Sequence, residues 1–441
     1  MRRVLIIASD YPPKLSIASR RPFGLSKYLQ EYGWKPVVLT ISEKGRREKD
    51  HPGVEIIESS LLSKPHLINV ILDMIHKRKG TNEGIDLGDR IKAPLYQQSS
   101  DKPWIIRVRK VLFYPDRFLI SWYRKAVKGY LKAAIISPVD AIISTAKPFT
   151  AHMIARHIKY RFHAPWVADF RDLWPHWKFY QNDMDYYHPK WFLDRLLVRW
   201  VLSTADALVT ISDPFQLILK KRFRGKKVYN IPNGFDPDEY IYDYKADEST
   251  FFITYTGHVR TDCQDPEILF KAVSQLIEER SIDKSLIKIR FYGEITNKIA
   301  NDIDYYTMRD IVVADGIRRP RKEIIEKQME SSLLILFSAL DPENIGTATG
   351  KIYEYLAAKR PILAIGKPFG SDAVEDILKG TQAGIYARSF EEVKKTILLF
   401  YDQFTQKGGI EYNGIPSEID NYSYKEMASK YARILNKVSN R

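Results

Sequence analysis

The sequence predicts an α/β protein of two successive doubly wound domains, each a parallel sheet with helices on both faces. Three observations lead there. The chain has 441 residues, too many for one ordinary core and enough for two. Short apolar runs alternate with helical patterns almost throughout, as strands buried on both faces require. A polar stretch at 242–250 then separates two such series of similar size.

In the first series, residues 4–9 read as a buried strand, although Arg2 and Arg3 before it superficially suggest a signal peptide. The apolar run is too short for one, and Ser9-Asp10 and Pro12-Pro13 follow where it should continue. An amphipathic helix is expected over 20–32, closed by Gly33, then strands at 35–40 and 54–57. Basic and aromatic segments around a polar stretch interrupt the alternation between about 60 and 115, which reads as an insertion. Strands at 141–144, 166–169, 207–211 and 228–231 follow, with a helix near 150–162. The second series has strands at 251–256, 287–292, 311–313, 333–337 and 361–365, with a helix at 266–280. A last amphipathic helix is expected over 423–438. The domains are therefore drawn as 1–241 and 251–420, with the C-terminal helix 423–441 packing back on the first.

Composition narrows the class. Hydrophobic residues make up 44% and charged residues 28%, a globular balance. No run of about 18 apolar residues would span a bilayer. Cys263 is the single cysteine, which excludes an internal disulfide and fits a reducing, cytoplasmic setting. The net charge of +15 asks for an anionic partner. Between 102 and 132, Trp104, Phe113, Tyr114, Phe118, Trp122 and Tyr123 interleave with lysines and arginines. That pattern fits either a helix with a solvated basic face or peripheral contact with an anionic membrane, such as the inner face of the cell membrane.

Ligands of open parallel sheets bind at the carboxyl ends of strands, so residues just after strands are the site candidates. In Thr349-Gly350-Lys351-Ile352-Tyr353-Glu354, Thr349 caps a helix whose free N–H groups, with Gly350, suit a diphosphate. Lys351 would pair with that diphosphate and Glu354, one turn on, with ribose hydroxyls; the same spacing also fits an exposed surface helix. Gly257-His258-Val259-Arg260 follows the first strand of the second series, with Gly257 allowing close approach of a phosphate and Arg260 neutralising it. Arg318 and Arg319 open a helix where a nucleobase would be gripped, or form a solvated basic turn. In the first series, Asp169-Phe170-Arg171-Asp172-Leu173-Trp174 has the composition of a sugar site, or of a structural Asp–Arg pair. His152, at the start of a helix, is a candidate reacting group or a structural histidine.

Taken in order, Asp10-Tyr11-Pro12-Pro13, Ser19-Arg20, Gly33-Trp34, Ser144-Thr145-Ala146-Lys147-Pro148, Asp169-Phe170-Arg171-Asp172, Ile231-Pro232-Asn233-Gly234-Phe235-Asp236, Tyr255-Thr256-Gly257 and Lys351-Ile352-Tyr353-Glu354-Tyr355-Leu356 resemble the landmarks of family four glycosyltransferases. The resemblance spans nearly the whole chain. It implies the GT-B fold of two Rossmann-like domains facing across a cleft, retention of anomeric configuration, and no obligatory metal or other cofactor. The family's pair of glutamates separated by seven residues is represented by Glu354 alone, with Gly346 at the first position. Its usual Arg-plus-Lys pair has only Arg260, which leaves Lys351 as the compensating cation. Lys14-Leu15-Ser16-Ile17-Ala18 stands where a glycine-rich loop is usual.

The expected activity is transfer of a sugar from a UDP or GDP sugar to a hydroxyl of a glycan or lipid-linked acceptor, in cell-surface polysaccharide biosynthesis. His152, Arg171 and Asp172 are assigned to the acceptor side. Arg260 and Lys351 would stabilise the leaving diphosphate, and Gly257, His258, Arg318, Arg319, Thr349, Gly350, Lys351 and Glu354 would hold the donor. The alternatives are a sugar-nucleotide epimerase of similar architecture and a basic nucleic-acid-binding protein. No nucleic-acid-binding module is recognisable, so no nucleic acid is expected as a partner.

Overall fold

The computed structural model of the chain describes residues 1–14, 16–43, 52–61, 116, 118–134, 138–174, 188–242, 244–261, 263–317, 319–338, 348–366, 370 and 372–440. Most of the expected insertion, together with Arg318 and Gly346, lies outside these residues. Two compact units divide the chain. One comprises Met1–Thr210, Leu219–Tyr229 and Tyr431–Arg441, the other Ile211–Ile218 and Asn230–Lys430.

The first unit is built on seven strands: β1 (Arg2–Ile7), β2 (Trp34–Ile41), β3 (Glu55–Ser59), β4 (Ala141–Ala146), β5 (Trp166–Phe170), β6 (Ala207–Thr210) and β7 (Lys227–Asn230). Their order is β3-β2-β1-β4-β5-β6-β7. Its helices include α1 (Ile17–Tyr28), α2 (Phe118–Ser121), α3 (Tyr123–Ala134), α4 (Thr150–Phe162) and α5 (His188–Leu202), and α6 (Asp213–Arg222) follows β6. The second unit has β8 (Phe251–Thr256), β9 (Ile287–Tyr292), β10 (Val312–Ala314), β11 (Leu333–Phe337), β12 (Ile362–Ile365) and β13 (Gly384–Ala387), ordered β10-β9-β8-β11-β12-β13. Between and after them run α7 (Glu267–Glu278), α8 (Asn297–Tyr305), α9 (Arg321–Met329), α10 (Gly350–Ala358), α11 (Ala373–Thr381), α12 (Phe390–Lys407), α13 (Pro416–Asp420) and α14 (Tyr424–Ser439). Both sheets thus place their third, second and first strands before the fourth and fifth. In that order the direction of strand succession switches between β1 and β4 and between β8 and β11, the strands staying parallel, and crevices form at the carboxyl ends of such switch points.

The core explains the strand positions. In β11, Leu333, Ile335 and Phe337 pack in one buried cluster with β8, β9, α7 and α12. Leu334 and Leu336 join a second cluster with α9, α10 and α11. Alternate residues of a strand point to opposite faces, so an unbroken apolar run serves a sheet covered on both sides. Each such side chain contributes roughly 1.5–3 kcal/mol through burial.

Helix ends follow local chemistry. Ser16 caps α1 in a reciprocal capping box with Ser19. The last short turn before β2 ends at Gly33, where φ is +80° and a glycine costs least. The strand β13 escapes a periodicity reading because it is a four-residue edge strand, half-buried except for Ala387.

Candidate functional site

The second unit brings its predicted residues together at the β8/β11 crevice. Strands β8 and β9 run in register to Thr256 and Tyr292, so Gly257 and Gly293 leave the sheet side by side. Gly257 N donates to Tyr292 O at 2.6 Å. Gly257 has φ +101°, and a Cβ there would lie 2.6 Å from Lys351 Cε. Gly293 has φ +148°, and a Cβ on it would lie 2.6 Å from the Gly257 carbonyl. A side chain at Gly293 would therefore push the two loops apart, and one at Gly257 would displace the end of the Lys351 side chain. Gly293 is a partner that sequence reasoning misses, because a single glycine after a strand carries no motif.

Helix α10 faces these loops with its first turn. Thr349 is its N-cap and accepts from Lys351 N. Lys351 and Tyr355, four residues apart and hence on one face, both reach β8. Lys351 Nζ donates to Tyr255 Oη at 2.9 Å and to the His258 carbonyl at 3.2 Å. Thr256 N donates to Tyr355 Oη at 3.0 Å. Burial, and secondarily the charge of Arg260, push the Lys351 ammonium down to a pKa of about 8. Among the described residues, Lys351 and Arg260 have no carboxylate within ion-pair distance. His258 is exposed, with Nδ1 3.6 Å from Glu294. The arrangement sets Lys351 and Arg260 beside glycine backbone and a helix N-terminus, chemistry suited to a diphosphate.

Glu354 sits one turn further along α10. Its Oε2 lies 2.9 Å from Arg321 Nη1 and accepts from Gln328 Nε2 at 3.4 Å. Arg319 departs from the expected base grip, because it is engaged by Asp315 and Glu323 and stands over the Tyr292 ring. An arginine flanked by carboxylates four residues away on either side satisfies its fork locally.

In the first unit the predicted residues are used differently. Asp169, at the end of β5, accepts two parallel bonds from Arg21, each 3.0 Å long, and Arg21 also donates to Tyr431 Oη at 3.0 Å. All three side chains are buried. Burial alone would raise the Asp169 pKa, and the Arg21 guanidinium overcomes that and holds it below the usual range. Arg171 stands next to Lys147 because β4 and β5 pair Ala146 with Phe170. It donates to the carbonyls of Ala146 and Lys147 at 3.0 and 2.8 Å, holding the loop after β4. Asp172 is half-exposed and lies 3.6 Å from Lys147 Nζ. His152 corrects the sequence reading. It is fully buried, its Nδ1 is 2.7 Å from Ser144 Oγ, and its ring packs on Phe170 at 4.6 Å. Burial depresses its pKa to about 3, so it is a neutral packing residue.

The described part of the basic–aromatic segment is equally mixed. Trp122 is buried and donates to Ser59 Oγ at 2.7 Å, so it belongs to the core. Arg124, Lys125, Lys128 and Lys132 are exposed on α3, while Ala126, Val127, Tyr130 and Ala134 face inward. Trp104, Phe113 and Tyr114 lie outside the described residues. Among the described residues no helix is long and apolar enough to cross a membrane. Within the same limits, no cluster of three or more His, Cys, Asp or Glu side chains suits a metal ion.

No family model and no curated protein matches the sequence. Solved structures do match along nearly the whole chain. HepE from Anabaena, in complex with UDP and glucose, superposes with a TM-score of 0.58 at 13% identity, covering 99% of this chain and 100% of that one. The UDP-forming α,α-trehalose-phosphate synthase of Burkholderia vietnamiensis gives 0.58 at 9% identity, with 99% and 100% covered. The lipopolysaccharide outer core galactosyltransferase WaaB gives 0.54 at 9% identity, with the same coverage. With its two parallel-sheet units, the chain has the GT-B fold.

Proposed function

We propose that this chain is a glycosyltransferase that moves a sugar from a UDP or GDP sugar to a hydroxyl of a glycan or lipid-linked acceptor. The observation that carries the reading is the cationic crevice of the second unit, where Gly257, Lys351 and the N-terminus of α10 converge and Glu354 stands one turn away. The fold likeness supports it, since HepE is described with UDP and, in another structure of TM-score 0.53, with UDP-glucose.

In this mechanism the diphosphate lies over Gly257 and the first turn of α10. Charge that builds on the departing phosphate oxygen meets Lys351, Arg260 and the helix N–H groups, which are oriented before the reaction begins. Glu354 accepts hydrogen bonds from the ribose, and His258 flanks the pocket. Arg171 and Asp172 serve the acceptor side, with Arg171 bracing the loop after β4. Retention of configuration and independence of a metal complete the proposal, together with a role in cell-surface polysaccharide synthesis at the inner face of the membrane. The exposed lysines and arginine of α3 support a peripheral contact there. Co-sedimentation should favour anionic over neutral vesicles and weaken with salt; equal binding to both would remove the membrane from the proposal.

Nucleotide binding tests the donor site directly. A hydrogen bond to a charged group contributes about 1.5–3 kcal/mol. Glu354→Ala should therefore weaken nucleotide binding by roughly ten- to a hundredfold, with Glu354→Gln intermediate. Calorimetry with uridine and guanosine diphosphates measures this, with melting temperature as control. Wild-type affinity in Glu354→Ala would put the donor elsewhere.

A further inference from the structure

Arg321 belongs to none of the roles above, yet it is the first residue of α9 and is gripped from two sides. Its Nη1 is 2.9 Å from Glu354 Oε2. Its Nε and Nη2 donate to Glu239 Oε2 at 3.1 and 2.7 Å. Tyr240 Oη is a further acceptor at 3.5 Å. The side chains of Arg321 and Glu354 keep 24% and 13% of their exposure, so this is a half-buried fork and not a solvated surface pair. Three segments meet in it: the short turn Pro237–Tyr240, the start of α9 and the first turns of α10.

The geometry points to Arg321 as the positioning residue for Glu354, with Glu239 as the group that keeps Arg321 in place. This rests on the donor-site reading above and names the part that makes Glu354 competent. A free glutamate has three rotatable bonds and a strongly hydrated carboxylate, and would have to be ordered each time a ribose binds. Arg321 carries that ordering before the nucleotide arrives. It fixes one carboxylate oxygen and offsets part of the cost of burying it. Gln328 approaches the same Oε2 while donating to Thr256 Oγ1 at 2.9 Å, which ties the carboxylate to the end of β8. A carboxylate has about four acceptor positions, and Arg321 and Gln328 both address Oε2. Arginine is suited to this place because its rigid planar fork holds two carboxylates in a fixed geometry, which the compact, rotating ammonium of a lysine does not.

The test separates this role from general stabilisation by measuring discrimination rather than affinity alone. Uridine and guanosine diphosphates are titrated calorimetrically beside their dideoxyribose analogues, which lack the diol. The wild-type protein should prefer the ribose form by about tenfold or more, and Glu354→Ala should remove that preference. Arg321→Met should cut the preference to within about threefold. Arg321→Lys should restore part of it, and Glu239→Gln should lie between wild type and Arg321→Met. If Arg321→Met folds and keeps the full preference, Arg321 does not position Glu354. Arg321 is equally excluded from that role if Glu239→Gln and Arg321→Lys leave the preference intact where Arg321→Met fails to fold. If instead Glu354→Ala keeps the preference, the donor-site reading itself fails, which is a distinguishable result.

Discussion

At the end of β5, Arg21 gives both arms of its guanidinium to Asp169 and a further bond to Tyr431, leaving a closed and buried network. At the end of β8, Lys351 instead rests against a phenol and a carbonyl, beside the exposed Arg260. The two units order their first five strands alike; at β5 the charges are met within a buried network, whereas at β8 Lys351 and Arg260 meet no carboxylate among the described residues. The first network is structure; under the proposed function the second is where an anion is held.

Breaking the closed network should have the largest effect. Removing one partner of a buried ion pair leaves the other charge stranded, at a cost of about 3–5 kcal/mol. Asp169→Ala should lower the stability of the first unit by that order while nucleotide affinity holds. Because the Asp169 pKa is held below its unfolded value, its stabilising contribution is present above about pH 4 and is lost as pH falls through the folded value. The mutant should lack that acid dependence in thermal unfolding. Unchanged stability in Asp169→Ala would overturn the contrast.

The open cluster should respond in turnover rather than stability. Removing one preorganised group that stabilises developing negative charge typically costs about a hundred- to a thousandfold in kcat. Lys351→Met preserves much of the stem that packs against Gly257 and should lose transfer by that order, with a melting temperature near wild type. A large fall in melting temperature with turnover intact would make Lys351 structural, like Arg21.

Much of the fold is legible in the sequence for a physical reason. The central strands β8, β9 and β11 match their expected spans because β11 is an unbroken apolar run, β8 is interrupted only by threonines, and β9 alternates buried apolar residues with Lys288 and Arg290. Helix α4 matches too, ending where His163 turns left-handed at φ +55°. Short half-buried β13 is less legible, since four residues carry almost no periodicity. In the crevice, Gly257, Thr349, Lys351 and Glu354 are readable because each follows a strand or opens a helix. Arg321, Gln328 and Glu239 are not, since their roles depend on three segments meeting in space. His152 misleads because periodicity identifies a helix but not whether its first turn is covered; β4, Trp166 and Phe170 cover it.

The smallest predicted effect probes Lys351 without mutation. Burial and Arg260 lower its pKa to about 8 in the free protein, and a bound diphosphate, being anionic, must raise it again. Binding therefore takes up a proton wherever the free amine is partly neutral, about half a proton per nucleotide near pH 8. Below that pH the ammonium is charged in both states and this group contributes no dependence. Above it, affinity should fall by up to about tenfold per pH unit until the pKa of the complex is reached. The terminal phosphate, with a pKa near 6, is already ionised there and does not mimic the effect. Calorimetry at pH 7, 8 and 9 in buffers of different ionisation enthalpy counts the proton directly. Lys351→Met should abolish both the uptake and the decline. A flat affinity across that range in the wild-type protein would mean that the ammonium does not meet the phosphate, and the cationic end of the second unit would then be as closed as the first.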